Sequence, residues 1–312
     1  MSESNSTESQ SSPAPSPSPS PSPSQVPPPG RPPFVPVLIA VMVLSAVYVG
    51  YSFFTPQSIA QWKWAAAVDA LENDNIDQAK QLAEEALEWD PENAELRLHI
   101  AEMHYRQDET TEARMQIEEA IALGKDNPLV LTQAGFLLSR MGQHDGAMML
   151  ADRLVDIAEK EQTIHLHEAL NRRAYSIAMA AADEAATAEQ IANGMKDIDL
   201  AIEYYGDDAS YVDTRGYLKV FDGDLEGAVK DLDAAIKFYE NTRTELLAQL
   251  TPEQIENMPS GVSFVDNQLK QVLAVLYSHR ATAYEKLGNE DEAKQDTDLA
   301  EAYGLDRQRG VW

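Results

Sequence analysis

Small and apolar residues recur along this chain at a constant interval of thirty-four positions. Three sets of residues show the interval: Ala79, Ala83, Ala86 and Leu87; Ala113, Ile117, Ala120 and Ile121; and Ala147, Ala151, Leu154 and Val155. A small residue followed at +4, +7 and +8 by apolar residues forms the inner stripe of an amphipathic helix. Repetition of that stripe at a fixed interval predicts pairs of helices stacked side by side.

The pattern continues, with interruptions, towards the end of the chain. Later matches are Gly194, Ile198, Ala201 and Ile202; Gly216, Ala228, Leu232, Ala235 and Ile236; and Ala281, Tyr284, Gly288, Ala293 and Ala300. The fourth unit is predicted to have a long first helix, over residues 164–182, and an Ala-rich link before its second helix. An insertion over residues 243–270 separates the fifth unit from the last, and its apolar residues, among them Leu246 and Ile255, predict further helix.

On this period, the segment from about 60 to 307 resembles tetratricopeptide repeats. The motif of that family places a small residue at position 8, Ala at positions 20 and 27, apolar residues at 24 and 28, and often Pro at 32. Ala101 and Gly135 occupy position 8 of two units, and Pro91 ends the first unit. The consensus Trp at position 4 is missing from every unit, although Trp64 lies one residue away from it in the first.

The resemblance implies an all-α fold, a right-handed α-solenoid of about six helical hairpins. The hairpins are predicted over residues 60–93, 94–127, 128–161, 162–208, 209–242 and 274–307. In this family the first helix of each hairpin lines the concave surface, where a peptide binds. The resemblance therefore also implies a binding groove on the first helices.

Nine residues are predicted to bind protein, because they fall at the groove positions of the family motif. They are Leu98, Glu102, Tyr105 and Arg106 in the second unit, Thr132, Phe136 and Arg140 in the third, and Tyr217 and Phe221 in the fifth. Aromatic residues and arginines dominate binding energy when they are buried at the centre of an interface. Packing of each aromatic ring against the next unit is the alternative. The Lys and Asn residues by which some relatives hold a chaperone's C-terminal carboxylate are not evident.

The first 54 residues differ in composition from the rest of the chain. Residues 1–33 hold most of the prolines in a Ser/Pro-rich tract, which predicts a disordered spacer. Residues 34–54 carry no charge, and as a helix they would span about 31 Å, close to the thickness of the bilayer hydrocarbon. They predict a single transmembrane helix, with a cleaved signal sequence as the alternative. Arg31 before this segment favours a cytoplasmic tail and an exported repeat domain.

Charge and cysteine content exclude several classes of function. The formal net charge is −28, and almost all of it lies after residue 55. An acidic surface of that size repels phosphate backbones, so we expect no nucleic-acid partner. The chain has no cysteine, which excludes disulfide bonds, thiolate nucleophiles and zinc sites with sulfur ligands.

Two short motifs imitate metal sites but do not fulfil their spacing or context. His167 and Glu168 begin like a zinc-protease helix, but the second histidine is replaced by Asn171. Residues 222–233 resemble part of a calcium loop, yet the same residues form the turn and the second helix of the fifth unit. No phosphate loop, nucleophile elbow or catalytic triad context is present, so we expect no enzyme activity, cofactor or metal.

These inferences predict a membrane-anchored scaffold or adaptor that binds peptides or proteins in the concave groove of its solenoid. One alternative is a self-associating structural protein that organises the membrane or the cell envelope. Another is the docking subunit of an enzyme complex. A homo-oligomer is compatible with the acidic helical array as well.

Overall fold

The computed structural model describes residues 37–38, 40–45, 55–73, 75–161, 164–306 and 310–311. They belong to two compact units, Met1–Phe54 and Thr55–Trp312. In the first unit the described residues are helical and exposed. Across the described part of the chain, no helix combines the length and the apolar character needed to cross a bilayer. The predicted tail, 1–33, and most of the predicted span, 34–54, lie outside the described residues.

The second unit consists almost entirely of helices connected by short turns. The helices are α1 (Pro56–Glu72), α2 (Ile76–Trp89), α3 (Ala94–Arg106), α4 (Thr110–Leu123), α5 (Pro128–Arg140), α6 (His144–Glu161), α7 (Leu166–Ala182), α8 (Ala188–Tyr205), α9 (Ala209–Asp222), α10 (Leu225–Ala248), α11 (Pro252–Glu256), α12 (Ser260–Leu287) and α13 (Glu290–Ala302). Two short strands follow, β1 (Leu305–Asp306) and β2 (Gly310–Val311), which pair in antiparallel fashion. The predicted all-α class is confirmed.

Consecutive helices pack as hairpins, and each hairpin contacts the next. The pairs are α1 with α2, α3 with α4, α5 with α6, α7 with α8, α9 with α10, and α12 with α13. From the second hairpin onwards, each first helix also contacts the first helix of the following hairpin. The second unit is therefore an α-solenoid of helical hairpins, in which the first helices share one surface.

Short polar residues start many of these helices. The side chains of Asn93, Asn127 and Asp224 accept hydrogen bonds from backbone N–H groups in the first turns of α3, α5 and α10. These are N-caps, which supply partners to donors that have none within the helix. Pro128 occupies the first turn of α5, where its missing N–H leaves no broken bond.

The thirty-four-residue pattern corresponds to the buried face of the second helices. Ala79, Ala113 and Ala147 are fully buried where the second helix of a hairpin crosses the first. Because alanine leaves the two backbones close together, larger neighbours such as Ile117 and Leu154 fill the adjacent space. The small residue at the start of each stripe therefore sets the helix crossing.

The segment predicted as an insertion, 243–270, is largely a continuation of two helices. Helix α10 runs on to Ala248, the short α11 follows, and α12 begins at Ser260. The extended parts of α10 and α12 pair through the carboxylate of Asp266, which accepts from Arg243 Nε at 2.7 Å and lies 2.6 Å from Lys270 Nζ. The prediction of further helix is confirmed for Leu246 and Ile255, whereas the turn around residue 250 separates α10 from α11.

A repeated ion pair crosses each of the last three hairpins. Arg173, Arg215 and Arg280 on the first helices donate two hydrogen bonds each to Asp197, Asp231 and Asp296 on the second helices, at 2.6–2.9 Å. Arg173 and Arg280 also contact a carboxylate of the preceding hairpin, Asp152 at 3.2 Å and Asp233 at 2.6 Å. The arginines thus join the two helices of a hairpin, and two of them also join neighbouring hairpins.

Candidate protein-binding groove

Five of the predicted binding residues lie together between α3 and α5. The hydroxyl of Tyr105 donates to the carbonyl oxygen of Arg140 at 2.8 Å. The guanidinium of Arg140 lies 5.1 Å from the centre of the Tyr105 ring and 5.7 Å from that of Phe136. Glu102 completes the cluster, because its carboxylate is 3.2 Å from Arg106 and 3.7 Å from Arg140.

Within this cluster, Arg140 and Phe136 have different roles. The side chain of Arg140 is only 8% exposed, and its burial lowers the pKa of the guanidinium against the opposing effect of Glu102. Arg140 therefore supports the rings beside it more than it offers a surface. Phe136 is 45% exposed, so it can contact a ligand directly.

Two of the nine predicted residues do not face a groove, and we exclude them from the site. Leu98 is 2% exposed and belongs to the core that joins the second and third hairpins. Tyr217 is 7% exposed and stacks on His279 of α12, with 3.7 Å between the ring centres. The motif implies that both side chains are exposed, but a neighbouring helix buries each of them. Burial also raises the pKa of Tyr217.

Phe221 and Thr132 have intermediate positions. Phe221 packs edge-on against Tyr217 at 5.2 Å, and Lys286 lies 5.3 Å from the centre of the Phe221 ring. These contacts leave Phe221 partly covered by α12, as the alternative interpretation of the groove aromatics predicts. Thr132 lines an open groove on the first helices.

That groove runs across the first halves of α5, α7 and α9. Its volume is about 620 Å³. The lining residues come from these three helices and the turns before them: Asn127, Pro128, Leu129, Thr132, Ile164, His165, Glu168, Asn171, Arg172, Ser210 and Tyr211. A narrower cleft adjoins it between α5 and α7, where Thr132 and Arg172 recur beside Phe136 and Tyr175.

The residues of α7 in this groove are absent from the sequence prediction. The small residue of its helix crossing is Ala174, which is fully buried. Ala174 lies twenty residues before Gly194, whereas Gly216 lies twelve residues before Ala228 in the next hairpin. Because of this longer spacing, the thirty-four-residue period does not predict which residues of α7 face the groove. The pair Arg173–Ala174 was the available signal, because Arg215–Gly216 and Arg280–Ala281 repeat it in the following hairpins.

Aromatic and histidine rings cluster around Tyr211, which lines the groove at the start of α9. His167 stacks on Tyr205 with 4.5 Å between ring centres, and its Nδ1 lies 2.7 Å from the hydroxyl of Tyr211. Burial raises the pKa of Tyr211 to about 12. The phenol therefore stays protonated near neutral pH and can donate to the imidazole. This cluster holds the start of α9 against the start of α7.

The residues that imitated metal sites have structural partners. Asp224 caps α10 by accepting from the N–H of Gly227 at 3.1 Å, and Asp233 pairs with Arg280. His167 bonds to Tyr211, as described above. In the described part of the chain, no group of three or more His, Asp or Glu side chains is arranged to hold a metal ion.

Comparison with known protein families finds a repeat in one segment of the chain. Residues 70–132 match the family model for the tetratricopeptide repeat. The repeat resemblance holds in this segment. The match spans the second half of the first hairpin, the whole second hairpin and the start of α5, which is well under half of the chain. No curated protein sequence matches this chain significantly.

Several solved structures are similar to this chain at low sequence identity. PilW, described as a widely conserved type IV pilus biogenesis factor, is 14% identical, with a TM-score of 0.49 over 80% of this chain and 96% of that one. PilF of Pseudomonas aeruginosa is also 14% identical, with a TM-score of 0.46 over 79% and 98% of the two chains. YrrB, described as a TPR protein with an unusual peptide-binding site, is 18% identical, with a TM-score of 0.38 over 56% and 84%.

Proposed function

We propose that this chain is a non-catalytic scaffold that binds a segment of a partner protein along α5, α7 and α9. The observation that carries the proposal is the groove of about 620 Å³ to which these three first helices contribute. Its lining is mixed, with apolar Leu129, polar Thr132 and Ser210, and charged Arg172. Such a surface suits a peptide, which presents backbone groups and varied side chains together.

Asn171 supports a peptide as the ligand. Its side chain lines the groove, and its Oδ1 is buried without a hydrogen-bond partner among the described residues. An unsatisfied buried acceptor costs free energy, because it has lost its water without gaining another donor. A backbone N–H of a bound segment would supply that donor. The tetratricopeptide match over residues 70–132 is consistent with protein binding as well.

The proposal includes a membrane anchor at residues 34–54, on the strength of their uncharged, apolar sequence. An anchor would confine the repeat domain near membrane partners and so raise its effective concentration. With Arg31 on the cytoplasmic side, the repeat domain would be exported. The chain has no cysteine, so a membrane-impermeant maleimide would report the side of a single cysteine introduced into the repeat domain.

Site-specific photo-crosslinking in cells tests the groove. A benzophenone side chain at Phe136 should crosslink the full-length chain to a partner, because Phe136 is exposed beside the groove. The matched control is Met149, which is more exposed, at 66%, but lies on the second helix α6. We expect adducts from position 136 and few from position 149.

The opposite distribution would contradict the groove assignment. Adducts from position 149 alone would locate the partner on the second helices. A single adduct of twice the mass of the chain would favour self-association. Replacement of Arg172 by glutamine should reduce the adduct from position 136 while the helical signal in circular dichroism stays unchanged.

A further inference from the structure

Arg172 differs from every other arginine in the described part of the chain. The other described arginines each lie within ion-pair distance of a carboxylate: Arg97, Arg106, Arg114, Arg140, Arg153, Arg173, Arg215, Arg243 and Arg280. Arg172 has no such partner among the described residues, although the chain carries 52 acidic residues. Because acidic residues are so numerous, an arginine without a carboxylate partner among the described residues is a candidate for binding an external ligand.

Arg172 lies in the middle of the groove. Arg172 is exposed on α7, the central helix of the three, and it lines both the groove and the adjoining cleft. Its charge acts on two rings nearby, since it opposes the rise in pKa that burial causes at Tyr175 and Tyr211. Glu168, one turn earlier on α7, also lines the groove but does not pair with Arg172.

We propose that Arg172 binds the carboxylate of an aspartate or glutamate side chain within the partner segment. This inference rests on the proposed function of the groove. A guanidinium can donate two parallel hydrogen bonds to a carboxylate, which gives both affinity and orientation. Phe136 lies along the same cleft and is 45% exposed. An apolar side chain next to the acidic one would cover its ring.

The groove favours an internal acidic residue over a chain terminus. It continues from Arg172 in two directions, to Leu129 and Thr132 on α5 and to Ser210 and Tyr211 at the start of α9. A segment that ends at Arg172 would leave one of these directions empty. A doubly charged phosphate is disfavoured because Glu168 and the net charge of −28 repel it more strongly than a single carboxylate.

A positional-scanning library of decapeptides tests the inference. The peptides are acetylated and amidated, so that the only carboxylates are those of side chains. The full-length chain, in a non-ionic detergent, is compared with Arg172→Gln, Arg172→Glu and the control Arg153→Gln. Arg153 lies on α6, is partly exposed and pairs with Asp126, and it does not line the groove, so the control removes the same charge at another site.

The wild-type chain should enrich aspartate or glutamate at one library position by about tenfold, as expected for a charge-assisted hydrogen bond. Arg172→Gln should lose that enrichment and Arg153→Gln should keep it. Arg172→Glu should enrich lysine or arginine at the same position. Circular dichroism of each variant establishes that the helices are retained.

Three results would overturn the inference, and they differ in what they say about the groove. Selection at other positions without an acidic preference, or an acidic preference that Arg172→Gln leaves unchanged, would remove the role of Arg172 and retain the binding function. Selection only from a parallel library, identical except that its peptides keep a free C-terminal carboxylate, would replace the internal residue by a terminus. If the wild-type chain selects no peptide at any position, the proposed function fails together with the inference.

Discussion

The second and third hairpins differ from the last three at the same point of the helix crossing. In the earlier hairpins the residues before the small position, Ile100 and Ala134, are fully buried. Leu150, whose Cβ faces Gly135 across the third crossing, is also buried. In the later hairpins the corresponding residues are the arginines and aspartates of the repeated ion pair, such as Arg280 and Asp296.

The two solutions stabilise a crossing in different ways. An apolar crossing gains free energy from buried area and tolerates small shifts of one helix against the other. A bidentate pair of Arg with Asp fixes both distance and rotation, but it depends on both partners being present. The later hairpins contain the two irregular features of the array, the long link in the fourth and the extended helices of the fifth and sixth. A directional contact keeps the register there despite the interruptions.

The largest effect should follow from breaking one ion pair. Arg280→Ala leaves the carboxylate of Asp296, which is 3% exposed, without its two hydrogen bonds. We expect a loss of about 3 kcal/mol or more in the free energy of unfolding, because a buried charge without its partner is strongly destabilising. Chemical denaturation of the full-length chain, followed by circular dichroism, measures the change.

The matched control replaces both partners by apolar residues. Arg280→Met combined with Asp296→Leu imitates the crossing of the third hairpin, and it should lie within about 1 kcal/mol of the wild type. Equal losses in the single and the double variant would show that the arginine acts through other contacts, such as that with Asp233.

Two glycines at the same position of the repeat should respond in opposite directions to alanine. In the fifth hairpin, a Cβ at Gly216 would lie 2.9 Å from Leu232 Cγ and 3.2 Å from Asp231 Cβ. In the third hairpin, a Cβ at Gly135 would meet its nearest neighbours at 3.8 Å, an ordinary contact. We expect Gly216→Ala to destabilise by about 1–3 kcal/mol through overpacking, and Gly135→Ala to stabilise by about 0.5–1 kcal/mol through helix propensity.

Thermal unfolding of the two glycine variants beside the wild type distinguishes these effects. The fifth crossing is the tighter one, since Gly216 approaches both a core leucine and the aspartate of the ion pair. A rise in melting temperature for Gly216→Ala would mean that the crossing is looser than the distances indicate. A fall for Gly135→Ala would contradict the packing of the third hairpin.

The sequence predicts the fold better than it predicts the site, for physical reasons. The small positions Ala79, Ala113 and Ala147 are specified by close packing, and close packing recurs with the helix period. Binding residues have no such period, because exposure depends on the neighbouring hairpin. Leu98 and Tyr217 occupy groove positions of the motif, yet adjacent helices bury them.

The central helix of the groove shows what the sequence pattern conceals. Arg172 stands next to Arg173, and only the structure separates the arginine that pairs with Asp197 from the one that faces the groove. Helix periodicity places adjacent residues about 100° apart, but it does not say which of them turns inwards. The sequence does carry a signal for two of the ion pairs, because the aspartate follows the arginine by sixteen positions in both Arg215–Asp231 and Arg280–Asp296.

The smallest expected effect is a response to acid, and it distinguishes the later hairpins from the earlier ones. Burial alone would raise the pKa of Asp231, but hydrogen bonds from Arg215 and Lys219 outweigh burial, and the pKa lies below the ordinary value of 3.8. A carboxylate with a lowered pKa in the folded chain contributes stability above its unfolded pKa. That contribution is lost as the pH falls through the folded pKa. The pKa values of Glu85 in the first hairpin and Glu109 in the second are also lowered, but these carboxylates are more exposed and therefore screened by salt.

Hydrogen exchange in about 0.5 M salt, where the Debye length is only a few ångströms, should therefore show different responses along the chain. As the pH falls below 3.8, α9 and α10 should lose protection before α5 and α6, once intrinsic exchange rates are taken into account. Asp231→Asn should be less protected than the wild type at neutral pH, and the difference should shrink in acid, where Asp231 is protonated. A difference that stays constant across the titration would mean that the paired charge of Asp231 does not stabilise the fifth hairpin, and that packing alone holds both regions.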